Sequence, residues 1–203
     1  MPTRIAVIHY SATGNVHRLA EAIAEGAASA GAEVRLRKVA ELAPEDAIAV
    51  NPRWVAHRAA TADLPEATLD DLEWADGFAF GTPTRFGLPA AQLKQFLDHT
   101  GGLWAKGKLT DKVGTAFTAA STQHGGLEAT VLSINTVLYH WGAIVLPLGY
   151  TAPEVNATGN PYGASWVSRK GSSPDEAALA TARHQGRRLA AIAAAVASVR
   201  AAG

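Results

Sequence analysis

The sequence predicts an α/β fold: a doubly wound, five-stranded parallel sheet with helices on both faces. Three observations predict it. Short apolar runs alternate with stretches of helical periodicity along the chain. Those runs fall near residues 4–9, 34–39, 77–80, 113–119 and 143–148. Three of them lead into a small, polar, glycine-containing loop that opens a helix. Parallel sheets place ligands beyond such strand ends, where strand order reverses.

Each element has its own signal. Arg4 to His9 is a buried strand, with Ile5, Val7 and Ile8 as its apolar run. Val16, Leu19, Ala20, Ile23 and Ala27 recur at helical spacing, and Gly31 is placed to end that helix. Val34 to Val39 alternates Arg35 and Arg37 with Val34 and Leu36, which suits a strand near a sheet edge. Residues 41–64 take no single assignment. Pro44 and Pro52 interrupt them, yet Ile48, Val50, Trp54 and Val55 are too apolar for a free linker. Pro65 to about Trp74 is expected to be helical, since proline fits a first helical turn. Gly77 to Phe80 is the third strand, and Leu88 to His99 a helix with Leu93, Phe96 and Leu97 on one face. Val113 to Ala119 is the fourth strand and Leu127 to Trp141 the next helix. Ala143 to Leu148 is the fifth strand. Thr151 to Ser173, rich in Gly, Pro, Asn and Ser, is expected to be a long loop. Pro174 to Val199 closes the chain as a helix, with Leu189, Ile192, Ala193 and Val196 facing inward. Right-handed crossovers between these strands give one sheet. No repeat or domain boundary is visible, so residues 1–203 are expected to form a single domain.

Composition narrows the function. The 203 residues carry 18 basic and 18 acidic side chains, a net charge of zero, which argues against a nucleic-acid surface. There is no cysteine, so disulfides, thiolate catalysis and cysteine–metal clusters are excluded, and no metal site is expected. No uncharged apolar stretch reaches the ~18 residues of a membrane span. Arg187, Arg188 and Arg200 bracket the alanine-rich C-terminal run. The apolar part of the N-terminus is too short for a signal peptide, so a cytoplasmic location is expected.

Three loops carry the chemistry. The first is Tyr10-Ser-Ala-Thr-Gly-Asn15, between a buried strand and a helix N-terminus, where backbone N–H groups bind anions. Ser11, Thr13 and Asn15 add hydrogen-bonding side chains, and the loop contains no Lys or Arg. A terminal phosphate is within the reach of such a loop. Taken alone, it fits an ordinary strand–turn–helix with Asn15 as cap equally well. The second is Gly81-Thr-Pro-Thr-Arg-Phe-Gly87, where Phe86 suits stacking on a flat ring and Arg85 suits its electron-rich edge. A core aromatic and a solvated charge are the plain alternative. The third is Ala119-Ala-Ser-Thr-Gln-His-Gly-Gly126. Two other phosphate motifs fail. No G-x-G-x-x-G follows the first strand. Gly102-Leu-Trp-Ala-Lys-Gly107-Lys108 has Leu109 where a P-loop needs a hydroxyl, and it follows a helix.

Together these segments resemble the WrbA family of flavodoxin-like NAD(P)H:quinone oxidoreductases. The matching stretches are Tyr10-Ser-Ala-Thr-Gly-Asn15, Phe80-Gly-Thr-Pro-Thr-Arg-Phe-Gly87, Phe96-Leu-Asp-His-Thr-Gly-Gly-Leu-Trp104, Ser121-Thr-Gln-His-Gly-Gly126 and Asn160-Pro-Tyr-Gly-Ala164. They span most of the chain in the family's order. The resemblance implies flavin mononucleotide (FMN), with its phosphate on Ser11, Ala12, Thr13, Gly14, Asn15 and Val16. It implies ring contacts from Thr84, Arg85, Phe86 and Gly87, and from Ala119, Ala120, Ser121, Thr122, Gln123, His124 and Gly125. Trp104 matches a residue lining the substrate face. His140 matches a histidine that reaches the ring across a subunit boundary. Arg85 and His140 are therefore the catalytic candidates, as electrostatic aids rather than as an obligatory acid or base. Alone, Trp104 would suit packing and His140 a helix C-terminus. The chain departs from the family at Thr13, where an aromatic is common, at Leu88 in place of asparagine and at Trp141 in place of a second histidine.

The resemblance implies two-electron reduction of a quinone by NAD(P)H and assembly as a homotetramer. Trp104, Trp141 and Trp166 lie near the expected site, where a neighbouring subunit would cover the ring. A non-enzymatic flavodoxin-like electron carrier and a regulatory binding protein are the alternatives. The neutral charge disfavours the first, and the lack of a basic face the second. No G-x-S-x-G elbow supports a hydrolase.

Overall fold

The computed structural model describes residues 1–202, with side-chain surroundings through residue 200. The chain runs β1 (Arg4–His9), α1 (Asn15–Ser29), β2 (Glu33–Lys38), α2 (Glu45–Ala49), α3 (Pro52–Ala60) and α4 (Leu69–Trp74). It continues through β3 (Gly77–Arg85), β4 (Leu88–Pro89), α5 (Ala91–Asp98), α6 (Gly101–Ala105), β5 (Val113–Ala120) and α7 (Leu127–His140). It ends with β6 (Ile144–Val145), α8 (Pro153–Thr158), β7 (Ser165–Val167), a 3-10 turn over Arg169–Gly171 and α9 (Glu176–Ala202).

Parallel strands in the order β2-β1-β3-β5-β6 form the backbone of the sheet. Strand order reverses at β1, so the loops after β1 and β3 flank the switch point. The sheet has seven strands rather than five, because β4 adds antiparallel to β3 and β7 adds parallel to β5. Neither addition has a strand-like sequence: β4 is two residues ending on Pro89, and β7 is three residues inside a Gly/Pro-rich stretch.

Alternation along the buried strands sends side chains to two separate cores. Ala6, Ile8, Phe78 and Phe80 pack with Leu93, Phe96, Leu97, Ile134 and Leu138 on one face. Ile5, Val7, Ala79 and Phe117 pack with Leu19, Ile23, Leu189 and Ala193 of α1 and α9 on the other. Trp141 belongs to the first core. It is 5% exposed and meets Phe78 and Phe80 edge-on at 5.7 and 5.8 Å. It therefore does not line a site, contrary to the expectation drawn from its position.

Several boundaries move for identifiable reasons. The helix expected from Pro65 begins at Leu69, because residues 65–67 run beside β2: Lys38 N donates to Pro65 O and Ala67 N to Lys38 O. Asp71 fixes the new start by accepting from Thr68 N at 3.0 Å. It also receives Arg35 at 3.1 Å and Arg37 at 3.2 Å, which is why the edge strand carries those arginines. Burial would raise the Asp71 pKa, but the Thr68 backbone bond and both arginines outweigh it and hold the carboxyl below its usual range. The third strand runs on to Arg85, through the stretch expected to be a loop. Thr118 Oγ1 donates to Thr82 O at 2.6 Å and ties that extension to β5. The helix expected from Leu88 starts at Ala91 instead, since Leu88 and Pro89 pair with β3. The expected fifth strand is confined to Ile144–Val145, and residues 151–173 hold α8, β7 and the 3-10 turn rather than a plain loop. Residues 41–64 resolve into α2 and α3, with Ile48 buried. Among the described residues, no helix is long and apolar enough to cross a membrane.

Candidate active site

A cleft of about 270 Å³ lies over the C-terminal ends of β1, β3 and β5. Its floor is the first loop, pinned to the neighbouring strand by Tyr10 N donating to Gly81 O at 2.9 Å. Within that loop Gly14 N donates to Ser11 Oγ at 3.1 Å. Gly14, not Asn15, is the N-cap of α1, at φ 96°, and no side chain caps the helix. Asn15 is the first helical residue. The open N-terminus therefore faces the cleft, where Asn15 and Val16 form part of the lining.

The second and third loops supply two walls. Pro83, Thr84 and Arg85 stand on one side, Ala119, Ala120 and Ser121 on the other. Thr84 Oγ1 lies 2.5 Å from Thr130 Oγ1, which locks the two walls together through α7. Ser11, Ala12 and Thr13 complete the expected part of the lining. The tip beyond Arg85 is a two-residue hairpin. Phe86 (φ 53°) and Gly87 (φ 80°) have the positive φ values of a type I′ turn. A left-handed phenylalanine is costly, and strain of this kind gathers at binding sites. Phe86 is 104% exposed, so its ring projects away from the core.

A fourth wall comes from segments outside the three strand-end loops. Asn51, Arg53 and Trp54 arrive from the start of α3, and Ser168 and Gly171 from the turn after β7. Arg53 Nη1 donates to Gly171 O at 3.0 Å, joining these two pieces. Ser168 N donates to Ala120 O at 2.7 Å and fixes the turn to β5. The apolar excess of residues 41–64, Trp54 included, was the one signal that this segment was more than a linker. Among the described residues the lining contains two arginines, Arg53 and Arg85, and no carboxylate.

Glu41 anchors α3 to the site. It accepts from Tyr10 Oη at 3.0 Å, Trp54 Nε1 at 3.0 Å and Gln92 Nε2 at 2.8 Å. Burial would raise its pKa, but its backbone bond from Ala43 and the bonds from Gln92, Tyr10 and Trp54 together hold it low. Burial, and then Glu41, push the Tyr10 phenol up.

Some expected residues lie elsewhere in the single chain. Thr122, Gln123, His124 and Gly125 form a turn at the edge of the third loop, where Gly125 N donates to Thr122 O at 3.1 Å. They are outside the cleft lining, as are Phe86, Gly87 and the backbone hinge Gly14. Trp104 and His140 sit together: Trp104 Nε1 donates to His140 O at 2.8 Å. His140 ends α7, whose N-terminus is beside the cleft. A helix of 14 residues is about 21 Å long, so this pair lies at its far end.

Beside the first loop three histidines meet. His9 Nε2 and His17 Nδ1 are 2.9 Å apart, and the His17 and His57 rings are 5.2 Å apart. Burial lowers the His9 pKa to about 3, helped by His17, His57 and Lys38 and opposed by the Arg37 backbone. Burial, His17 and Lys38 lower His57 to about 4. Burial also lowers His17, against the pull of Glu21. Below pH 6.5 the unfolded chain takes up a proton that folded His9 refuses until about pH 3. Stability is therefore full above pH 6.5 and is lost as pH falls through that window. Urea titrations between pH 4 and 6 should show the dependence of stability on pH reduced by about one proton, ~1.4 kcal/mol per pH unit, in His9→Leu. An unchanged slope would show that His9 is not what makes the fold acid-sensitive.

The sheet order and a ligand cleft at its switch point define a flavodoxin-like α/β protein. The chain belongs to the NADPH-dependent FMN reductase family, whose profile matches residues 3–156. A Deinococcus radiodurans protein named NAD(P)H dehydrogenase (quinone) is 45% identical over 188 residues, 92% of this chain and 94% of that one. A protein of the same name from Syntrophus aciditrophicus is 46% identical over 198 residues, 94% and 97% of the two chains. Among solved structures, a WrbA-like flavodoxin from Agrobacterium tumefaciens superposes with a TM-score of 0.67 at 27% identity, covering 95% of this chain and 98% of that one. An archaeal flavodoxin, at 19% identity and a TM-score of 0.63 over 95% and 99%, shares the fold.

Proposed function

We propose that this protein is an FMN-dependent NAD(P)H:quinone oxidoreductase that transfers electrons in pairs by a ping-pong mechanism. One observation carries the reading: the switch-point cleft joins an uncapped helix N-terminus to two arginines, with no carboxylate in its lining among the described residues. That donor set suits a flat ligand ending in a phosphate. The relatives named NAD(P)H dehydrogenase (quinone) support the substrate pair.

The chain's own residues divide the work. Ser11 to Val16 hold the phosphate through backbone N–H groups, the hydroxyls of Ser11 and Thr13 and the helix dipole. Thr84, Arg85, Ala119, Ala120 and Ser121 border the ring, and Phe86 and Gly87 and the turn from Thr122 to Gly125 close around its edge. Arg85, whose side chain bonds among the described residues only from Nη1 to its neighbour Thr84 O at 3.1 Å, has donors free for negative charge building on the ring. When bound, FMN would supply the hydride chemistry between NAD(P)H and a quinone, a net reaction that takes one proton from water.

His140, at the far end of α7, and Trp104 of α6, bonded to it, are too distant to reach a ring in their own cleft, so in this reading they reach that of a second copy. This supports a homotetramer, a closed arrangement common among soluble oligomers. A single domain over residues 1–203 and a cytoplasmic location, where NAD(P)H is available, belong to the same reading.

The purified protein should show flavin absorbance after FMN addition. NADH should bleach it, and a quinone should restore it. Initial rates at several quinone concentrations should give parallel double-reciprocal lines, whereas intersecting lines would exclude a shared substrate face. Sedimentation with FMN should give about four times the 21.1 kDa chain mass. A persistent monomer would remove the roles given to Trp104 and His140.

A further inference from the structure

The first loop contains no cation, yet the cleft above it does. We propose that Arg53, carried in from α3, is a phosphate clamp that closes over the first loop and holds the FMN phosphate from the side opposite α1. This rests on the flavin reading above and adds to it a ligand from outside the strand-end loops.

Four observations converge on Arg53. It lines the same cleft as Ser11, Thr13, Asn15 and Val16. Its helix is seated over the first loop: His57, one turn further along α3, has Nδ1 3.5 Å from where a Cβ on Gly14 would stand. Residues four apart share a helix face, so the face that carries Arg53 is the face turned toward the N-terminus of α1. The guanidinium is aimed rather than loose, because Nη1 donates to Gly171 O at 3.0 Å. Gly171 leaves room for it, since a Cβ there would fall 1.3 Å from Nη1. Lastly, the charge has no counter-ion among the described residues: Arg53 forms no salt bridge there, whereas Arg58 on the same helix is paired with Glu45 at 2.7 Å.

The chemistry suits a phosphate monoester. A guanidinium has five N–H donors in a planar fork, and one bond to Gly171 leaves the remainder for phosphate oxygens. Backbone dipoles at α1 and a guanidinium on the facing wall would then share the two negative charges. Glu41, through Trp54, sets where α3 stands and so where the clamp closes.

The test compares FMN with riboflavin, which has the same ring and no phosphate. Native protein should bind FMN far more tightly than riboflavin. Arg53→Ala should weaken FMN by about 10- to 100-fold, the usual worth of a charge-assisted contact, and leave riboflavin within about threefold. Arg53→Lys should fall between them, since it keeps the charge without the fork. Gly171→Ala, which pushes the intact guanidinium aside, should lower FMN affinity in the same direction. Equal losses for FMN and riboflavin would mean that Arg53 only supports the fold, and would overturn the clamp. So would unchanged FMN binding together with a loss confined to NADPH relative to NADH, which would move the arginine to the nicotinamide cofactor's phosphate. If native protein binds neither flavin, the flavin reading itself falls, and the clamp with it.

Discussion

Gly186→Val and Gly26→Val are each expected to destabilise the fold by roughly 4 kcal/mol or more, enough to unfold much of a protein whose total stability is on the order of 5–15 kcal/mol. The reason is a reciprocal contact between α1 and α9. A Cβ on Gly26 would stand 2.0 Å from Arg183 O, and one on Gly186 would stand 2.0 Å from Ile23 O and 2.9 Å from Ala27 N. These are backbone atoms in mid-helix, and no rotamer change can move them. The helices would have to separate by more than an ångström. That would open the packing of Leu19, Ile23, Leu189 and Ala193, which form much of one core. Even alanine at either position should lower the urea midpoint clearly. A Gly186→Ala midpoint equal to that of the native protein would show that the helix pair yields more readily than close packing allows.

Those two glycines show what the sequence concealed. In a helical pattern rich in alanine, a glycine reads as one more small residue, and only the crossing of α1 and α9 reveals its purpose. The strands β1 and β5 were legible because burial on both faces leaves continuous apolar runs, and the edge strand β2 because Val34 and Leu36 alternate with Arg35 and Arg37. The three strand-end loops were legible because a backbone-lined site needs small residues. The fourth wall was not, because its halves, Arg53 and Gly171, are 118 positions apart and have no local signature. The hairpin at Phe86 was hidden for a different reason. Turns with positive φ at both central positions favour Asn-Gly or Asp-Gly, and Phe86-Gly87 satisfies only the second position. Trp141 misled by its place next to a loop near the expected site, yet it packs edge-on against both Phe78 and Phe80. Asn15 misled likewise. It suits a cap by composition, but the chain must turn one residue earlier to point α1 at the cleft, and only glycine takes that backbone angle without strain.

Gly14→Val is therefore expected to abolish FMN binding, lowering affinity by at least about 100-fold, or ~2.7 kcal/mol. At φ 96° a β-branched residue is a steric outlier. Valine would drive the backbone to negative φ, turn the N–H groups of the first helical residues away from the cleft, and break the 3.1 Å bond from Gly14 N to Ser11 Oγ. Its Cβ would also meet His57 Nδ1 at 3.5 Å, so its two methyl groups would press on the helix that carries Arg53. A general loss of stability could produce the same result, and Gly31→Val controls for that. Gly31 follows the other end of α1 at φ 85°, with nothing within 4 Å of a Cβ, so it imposes similar backbone strain far from the cleft. The Gly31 variant should lose stability but still titrate with FMN as the native protein does, whereas the Gly14 variant should keep its α/β circular dichroism and fail to titrate. If both variants bind FMN normally, the phosphate does not sit on the first loop. If both lose FMN together, the effect is one of stability, and the open N-terminus of α1 has no special part in holding the cofactor.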